Sequence, residues 1–292
     1  MQQDKETIGQ FFKKYISATA FCFGFLLLIV AGNTISTHLF SGDDTGSESI
    51  SRNSSSDFWG CSVVGLTLRG GIVTYIPAGY GEDESADSEM SAIDLTASEY
   101  IAYMIDQAEK SDNIHAILLE VDSPGGEPVA GEEIAHAVRD SAKPVVSMIR
   151  QIGASAGYWA ISGSDRIFAS RNSDIGSIGV TASYLQNVYE DKEFVDLSSG
   201  KYKDTGNPDK RITDEERALV KRDIQIIHTN FVEEVAENRN LPIEDVRALA
   251  DGSTMLGEQA RQLGLIDEIG GMSEVEAYLK GIVGEEPAIC WY

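Results

Sequence analysis

The sequence has little basic charge, and this scarcity excludes one large class of proteins. It contains only 23 Lys and Arg against 47 Asp and Glu, which gives a formal net charge of -24. Nucleic-acid binders need clustered Lys and Arg to displace counterions from phosphates, so we expect no nucleic-acid partner. The 292 residues, of which 42% are hydrophobic, are enough for one large core with appendages.

Cysteines are also few, and they are scattered at positions 22, 61 and 290. None forms a CxxC pair or a Cys/His spacing typical of a metal site. The sequence therefore predicts no structural zinc, no metal and no cofactor. It also predicts no disulfide framework, and a bridge between Cys61 and Cys290 stays open as an alternative.

The N-terminal part contains a long stretch without charge. Residues 15–42 carry no Lys, Arg, Asp or Glu, and lysines precede them. Roughly 20 apolar residues span a bilayer as a helix, and positive flanks stay cytoplasmic. We predict a cytoplasmic N-terminus (1–14), a transmembrane signal anchor (15–35) in contact with lipid of the cell membrane, and an extracytoplasmic remainder. A cleaved signal peptide is the alternative, and it also implies export.

The remaining chain divides into a tether, a domain and a tail. Residues 41–57 are polar and serine-rich, which predicts a flexible tether over 36–57. From Phe58 onwards strand-like and helix-like runs alternate, which predicts an α/β fold with a mainly parallel sheet. The predicted domain covers 58–280, and an apolar C-terminal tail covers 281–292.

Hydrophobic periodicity and capping patterns predict the individual elements. The predicted strands are Val63–Leu68, Ala116–Val121, Val145–Ile149, Arg166–Ala169 and Leu265–Ile269. The predicted helices follow the capping boxes Thr96–Glu99 and Thr213–Glu216, or cover Val129–Arg139, Ser155–Ile161, Pro242–Gly252, Gly257–Leu263 and Ser273–Lys280.

Two small-residue motifs follow predicted strands. In GASAGYW, Ser155 comes shortly after a strand and begins a predicted helix, whose N-terminal end favours negative charge. Ser155 is the candidate nucleophile, and a simple helix cap is the alternative. The earlier motif DSPGG ends at Gly126, whose backbone N–H suits an oxyanion hole together with that of Ala156. Pro-Gly-Gly is otherwise a common turn.

A serine needs a base, and histidine offers no obvious one. The chain has four histidines, and none stands between Ser155 and His228. His228 falls in the middle of a predicted long helix, where a structural role is the simpler interpretation. The sequence alone therefore leaves the base open.

Four motifs in order resemble the signal peptide peptidase A family, the S49 serine/lysine peptidases. They are DSPGG, GASAGYW, GSIGV and SGKYKD, and the resemblance spans about residues 60–275. It implies a Clp protease/crotonase-like core with repeated ββα/βαβ units, followed by C-terminal helices. It also implies a serine endopeptidase that cleaves signal-peptide remnants or other membrane-associated peptides through an acyl-enzyme.

The resemblance further implies roles for single residues. Ser155 is the nucleophile, Lys203 the base of a Ser/Lys dyad, and Ser177 the residue that orients the lysine. Gly126 and Ala156 supply the oxyanion hole, although Ala156 replaces a glycine common in this family block. Lys201 is the fallback base, because the family pattern places the base directly before the residue that leads into a polar, Pro-containing stretch.

The resemblance also has implications for assembly. The chain corresponds to one repeat of the duplicated long form. In short members the serine and the lysine of one site can come from neighbouring subunits, which implies a ring-shaped homo-oligomer.

Four alternatives stay open at this point. One is a stomatin-type or membrane quality-control protease of the same clan, and another is a Clp-type protease with a histidine base. The others are a crotonase-like acyl-CoA enzyme and a catalytically inactive membrane scaffold.

Overall fold

The computed structural model describes residues 58, 60–77, 94–183 and 197–292. The predicted cytoplasmic segment, transmembrane anchor and tether (1–57) lie outside these residues. None of the described helices has both the length and the apolar character needed to cross a membrane. The chain divides into two units, and of the smaller one the structure describes only residues 206–211, which contain no helix or strand.

The other unit contains all described helices and strands. Its strands are β1 Val63–Val73, β2 Leu95–Ala97, β3 Ala116–Gly126, β4 Val145–Ala154, β5 Arg166–Ala169, β6 Asp174–Gly176, β7 Thr254–Leu256, β8 Glu268–Ile269 and β9 Ile289–Trp291. Its helices are α1 Ser98–Glu109, α2 Pro128–Arg139, α3 Ala156–Ile161, α4 Asp214–Asn238, α5 Ile243–Leu249, α6 Gly257–Gln262 and α7 Met272–Val283.

The strands form one sheet in the order β2-β1-β3-β4-β5-β8, and β9 joins the edge of β1. All strand pairs are parallel except β6–β7. This confirms the predicted α/β class with a mainly parallel sheet. Parallel sheets need cover on both faces, and their strands read as continuous apolar runs such as AILLEV in β3.

Helices cover the sheet on both sides. The main core gathers the apolar residues of α1, α2 and α3 and the C-terminal half of α4, for example Ile101, Ile134 and Phe231. A second cluster lies under α7, where Val275 and Leu279 pack on alternate residues of β3 and β4. Each fully buried side chain of this size stabilises the fold by about 1.5–3 kcal/mol.

One predicted capping box is correct and the other is wrong. Thr213 caps α4, since its Oγ1 accepts from the N–H of Glu216 at 3.2 Å and Glu216 Oε2 accepts from the N–H of Thr213 at 2.9 Å. Thr96 instead lies in β2, where its hydroxyl binds the backbone N–H and carbonyl of Arg69, both at 2.9 Å. The helix α1 accordingly starts after Ala97 without a side-chain cap.

The C-terminal tail packs on its own domain. The strand β9 pairs with the first residues of β1, and Cys290 forms a disulfide with Cys61 across 229 residues of sequence. The expectation of no disulfide framework is therefore wrong for this pair, and the bridge left open in the sequence is present. The ring of Tyr292 also packs edge-on against the ring of Phe58, with the two centroids 5.4 Å apart.

Candidate active site

A cavity of about 560 Å³ lies at the carboxyl ends of two central strands. The strand β3 ends at Gly126, β4 ends at Ala154, and Ser123 stands beside Gly153 in their parallel register. Because neighbouring parallel strands end at the same edge, the two small-residue motifs meet there. Crevices at this edge are the usual ligand sites of open α/β sheets.

The backbone of Ser155 has an unusual conformation. Its φ is 53° and its ψ is -130°, and its N–H donates to the carbonyl of Gly176 at 2.7 Å. Such a conformation costs a non-glycine residue about 1–3 kcal/mol and is concentrated at functional sites. Although Ser155 occupies the N-cap position of α3, its side chain makes no capping hydrogen bond. Helix capping therefore does not explain the serine, which lines the cavity.

Gly125 lets β3 approach this serine closely. Its φ is +111°, and a Cβ built there would stand 2.7 Å from Ser155 Cβ and 3.0 Å from the nitrogen of Ala156. Only a glycine fits both the backbone angle and the space. The next residue, Gly126, lines the cavity together with Ala156. The two predicted oxyanion-hole residues thus lie in the same cavity as the predicted nucleophile.

Ser177 also lines the cavity, at the end of β6. Its φ is 49°, its N–H donates to the carbonyl of Ser253 at 2.9 Å, and its hydroxyl donates to the carbonyl of Gly252 at 3.0 Å. These two bonds hold the serine against the loop before β7. In this structure the hydroxyl binds a backbone carbonyl, whereas the resemblance implies that it orients a lysine.

Neither candidate lysine is among the described residues that line the cavity. Lys203 is exposed in a turn, where its N–H donates to the carbonyl of Gly200 at 3.0 Å. Lys201 is also exposed, and its Nζ is 2.6 Å from Glu215 Oε2. The hydrogen bond to Glu215 raises the pKa of Lys201, with a smaller contribution from Tyr202. A raised pKa is the opposite of what a lysine general base requires.

His228 also lines the cavity, where the sequence did not predict it. The residue belongs to α4, and its Nε2 is 3.0 Å from the carbonyl oxygen of Ala250. Its position four residues after Ile224 and three before Phe231 places all three on one helical face. That spacing is readable in the sequence as a shared face, and the fold shows that this face lines the cavity. The contact with Ala250 is also what a structural histidine makes.

Two stacked aromatic rings also belong to the cavity lining. Trp159 of α3 and Phe231 of α4 both line the cavity and stack nearly parallel, with centroids 4.5 Å apart and planes 6° apart. Both are almost fully buried, at 3% and 1% exposure. The cavity lining combines a serine with a strained backbone, the residues Gly126 and Ala156, and two largely buried aromatic side chains. Such a site suits acyl transfer on a substrate with apolar side chains.

Comparisons with known proteins also indicate a peptidase. A sequence model described as peptidase family S49 matches residues 137–283. A protein of Methanocaldococcus jannaschii assigned to the proteases is 37% identical over 177 residues, which are 59% of this chain and 57% of that protein. A protein of Enterococcus faecium assigned as a signal peptide peptidase is 35% identical over 164 residues, 54% of this chain and 48% of that protein.

More distant relatives and solved structures were also found. The chloroplastic serine protease SPPA of Arabidopsis thaliana is 30% identical over 190 residues, 63% of this chain and 28% of that protein. Among solved structures, a mutant of the 1510-N membrane-bound stomatin-specific protease has a TM-score of 0.49 at 15% identity, covering 79% of this chain and 96% of that one. The chain thus spans about half the length of the first two relatives.

Proposed function

The chain belongs to peptidase family S49, and we propose that it is a serine endopeptidase whose nucleophile is Ser155. The main support for the proposal is the backbone conformation and position of Ser155. Ser155 has a positive φ at a strand-to-helix junction, makes no capping bond and lines the cavity. A serine held in this way is costly for the fold, and nucleophilic attack gives a reason for the cost.

The chemistry would follow the general course of acyl transfer. A base takes the proton of Ser155 Oγ while the oxygen attacks the peptide carbonyl. The N–H groups of Gly126 and Ala156 stabilise the resulting oxyanion, and the protonated base donates to the leaving amine. Water, deprotonated by the same base, then releases the acyl group and restores the serine.

We assign the base to Lys203, with Lys201 as the fallback and Ser177 as the residue that orients the amine. A lysine with an ordinary pKa of about 10.4 is protonated at neutral pH, and burial can lower this value by up to about 3–5 units. Lys203 is exposed within its own chain, so it must enter an apolar site to act. We propose that a neighbouring copy in a ring-shaped homo-oligomer completes the site around it.

A first experiment tests the nucleophile. Hydrolysis of an internally quenched apolar peptide by the full chain is compared with that of Ser155→Ala, with Ser162→Ala as the matched control, because Ser162 is buried at the end of α3 away from the cavity lining. We expect loss of at least a thousandfold in kcat for Ser155→Ala. Unchanged hydrolysis would refute the proposal and would favour a non-catalytic scaffold.

A second experiment tests the base and its origin. Lys203→Ala should abolish hydrolysis, whereas Lys201→Ala and His228→Ala should retain it. Mixing inactive Ser155→Ala with inactive Lys203→Ala subunits should restore part of the activity if each site combines two chains. If Lys203→Ala stays active and either Lys201→Ala or His228→Ala is inactive, the residue replaced in the inactive variant is the base. A rate limb near pH 6.5 would indicate histidine.

The substrate proposal follows from the location of the domain. We propose that the apolar stretch 15–35 anchors the chain in the cell membrane and that the peptidase domain cleaves signal-peptide remnants outside the cytoplasm. Support comes from the aromatic residues in the cavity lining and from the name given to the Enterococcus faecium relative. A panel of signal-peptide and stomatin-derived peptides in detergent separates this role from that of a stomatin-type protease. Faster cleavage of the stomatin peptides would favour the latter.

A further inference from the structure

A single carboxylate links the two helices that carry the aromatic rings of the cavity lining. Glu234 of α4 has a side chain that is only 10% exposed. Its Oε2 accepts from the indole Nε1 of Trp159 at 2.7 Å. Hydrogen bonds to an ionised acceptor are roughly twice as strong as neutral ones, and a buried indole N–H without an acceptor is costly.

The other oxygen of Glu234 binds the surface of α2. Its Oε1 accepts from Arg139 Nη1 at 3.2 Å and is 3.3 Å from His136 Nε2. Glu132, His136 and Glu234 each offer a ligand atom within 4.8 Å of one another, as in a cation site. Because the guanidinium and the indole already engage both oxygens of Glu234, we interpret the group as a charge network that holds the carboxylate in place.

The residue that Glu234 holds is directly connected to the candidate nucleophile. The backbone N–H of Trp159 donates to the carbonyl of Ser155 at 2.9 Å, within the first turn of α3. The indole stacks on Phe231, which is three residues before Glu234 on the same helix. One turn of α4 therefore contacts the indole twice, by its ring face and by its N–H. Together these contacts leave the ring little freedom to rotate.

We propose that Glu234 is a positioning residue that fixes the indole of Trp159 in the cavity lining beside Ser155, where the ring contacts an apolar substrate side chain. The carboxylate does not line the cavity and acts only through Trp159. This inference rests on the proposed peptidase function and deepens it. It names the residue that sets side-chain preference at the site.

The test compares two replacements of nearly equal size. Glu234→Gln keeps an oxygen acceptor for the indole, whereas Glu234→Leu removes it and leaves the N–H unpaired. We expect Glu234→Leu to raise KM for a peptide with a large apolar side chain about tenfold while kcat changes less than threefold. Its preference for that peptide over an alanyl analogue should fall. Glu234→Gln should remain within about threefold of the parent chain in both constants.

Controls separate positioning from a general structural role. Arg139→Gln removes the guanidinium at the other oxygen of Glu234 and should leave KM unchanged. If Glu234 only stabilises the fold, Glu234→Leu lowers the folded fraction, so that apparent kcat falls and KM stays constant. That result would overturn the inference. So would equal KM values for the Leu and Gln variants.

A measurement without turnover tests the position of the indole separately from the proposed peptidase function. In a chain whose other two tryptophans are replaced (Trp59→Phe, Trp291→Phe), fluorescence reports Trp159 alone. Glu234→Leu should increase quenching of this tryptophan by acrylamide at least twofold, and Glu234→Gln should not. If Ser155→Ala retains hydrolysis, the peptidase proposal fails. If Ser155→Ala is inactive but quenching does not respond to Glu234→Leu, only the positioning role fails.

Discussion

Replacing Gly125 by alanine should damage the site more than the fold. The alanine Cβ would stand 2.7 Å from Ser155 Cβ, whereas carbon atoms at their optimal separation are about 3.5–4.0 Å apart. The two backbones must therefore separate by about 1 Å. A displacement of this size in a catalytic group costs on the order of a hundredfold in rate. The positive φ adds about 1–3 kcal/mol of strain to the folded state.

The chain offers a matched control for the strain. Gly284 follows α7 with a φ of +85°, and a Cβ there would meet nothing within 4 Å. Gly284→Ala should lower the free energy of unfolding by about 1–2 kcal/mol through the backbone alone. It should leave kcat/KM unchanged, because the residue lies outside the cavity.

The assay combines peptide hydrolysis with chemical denaturation. For Gly125→Ala we expect kcat/KM per folded molecule to fall about a hundredfold, and labelling of Ser155 by a fluorophosphonate to slow in parallel. The folded fraction is measured by circular dichroism, so that a loss of stability is not mistaken for a loss of activity. If Gly125→Ala keeps more than about a third of the parent kcat/KM, the proposed steric coupling between β3 and Ser155 is refuted. A comparable loss in Gly284→Ala would refute it equally.

Three further predictions concern the fold and its charges. Thr213→Ala should lower the free energy of unfolding by about 1 kcal/mol through loss of the α4 cap, and an unchanged denaturation midpoint would contradict this. Cys290→Ser should lower the free energy of unfolding by up to about 5 kcal/mol, since the bridge closes a loop of 229 residues. Cys22→Ser is the control, and equal stability of the two variants would contradict the prediction. Glu215→Gln should lower the raised pKa of Lys201, followed by NMR of the lysine side chain. The ion pair stabilises the fold below the ordinary lysine pKa and loses this effect as pH rises through the raised value, so an unaltered titration would contradict the pairing.

The two capping boxes show what the sequence can and cannot predict about the fold. Thr96–Glu99 and Thr213–Glu216 have the same pattern, but only the second caps a helix. Thr96 is diverted because β2 pairs with β1, where the Thr96 hydroxyl binds the backbone of Arg69. Local patterns therefore predicted elements well where no distant strand competed. The short strands β6, β7 and β9 were missed because pairing partners far along the chain define them.

The candidate site likewise contains residues whose positions the sequence predicts and residues whose positions it does not. Ser155 and Gly126 follow apolar runs that read as adjacent parallel strands, so their meeting at one edge could be predicted. Their partners on α4 could not be predicted, because Trp159 and Glu234 lie 75 positions apart and no sequence pattern between them sets how the long helix docks. A separation of three residues sets His228 and Phe231 on one face of a helix. Only the fold shows that this face looks into the cavity.

The two candidate lysines differ in what each must give up to become a base. Lys201 would have to leave Glu215, whose carboxylate holds its amine at 2.6 Å and raises its pKa. If the carboxylate moved with it, the pKa would stay raised and the amine would remain protonated. Lys203 follows two residues later on the same exposed segment, and its backbone N–H is already satisfied by Gly200, so its side chain can change surroundings without loss of that turn. Transfer of an exposed amine into an apolar site lowers its pKa, whereas transfer of an ion pair does not. This difference favours Lys203 as the base of the proposed site between neighbouring subunits.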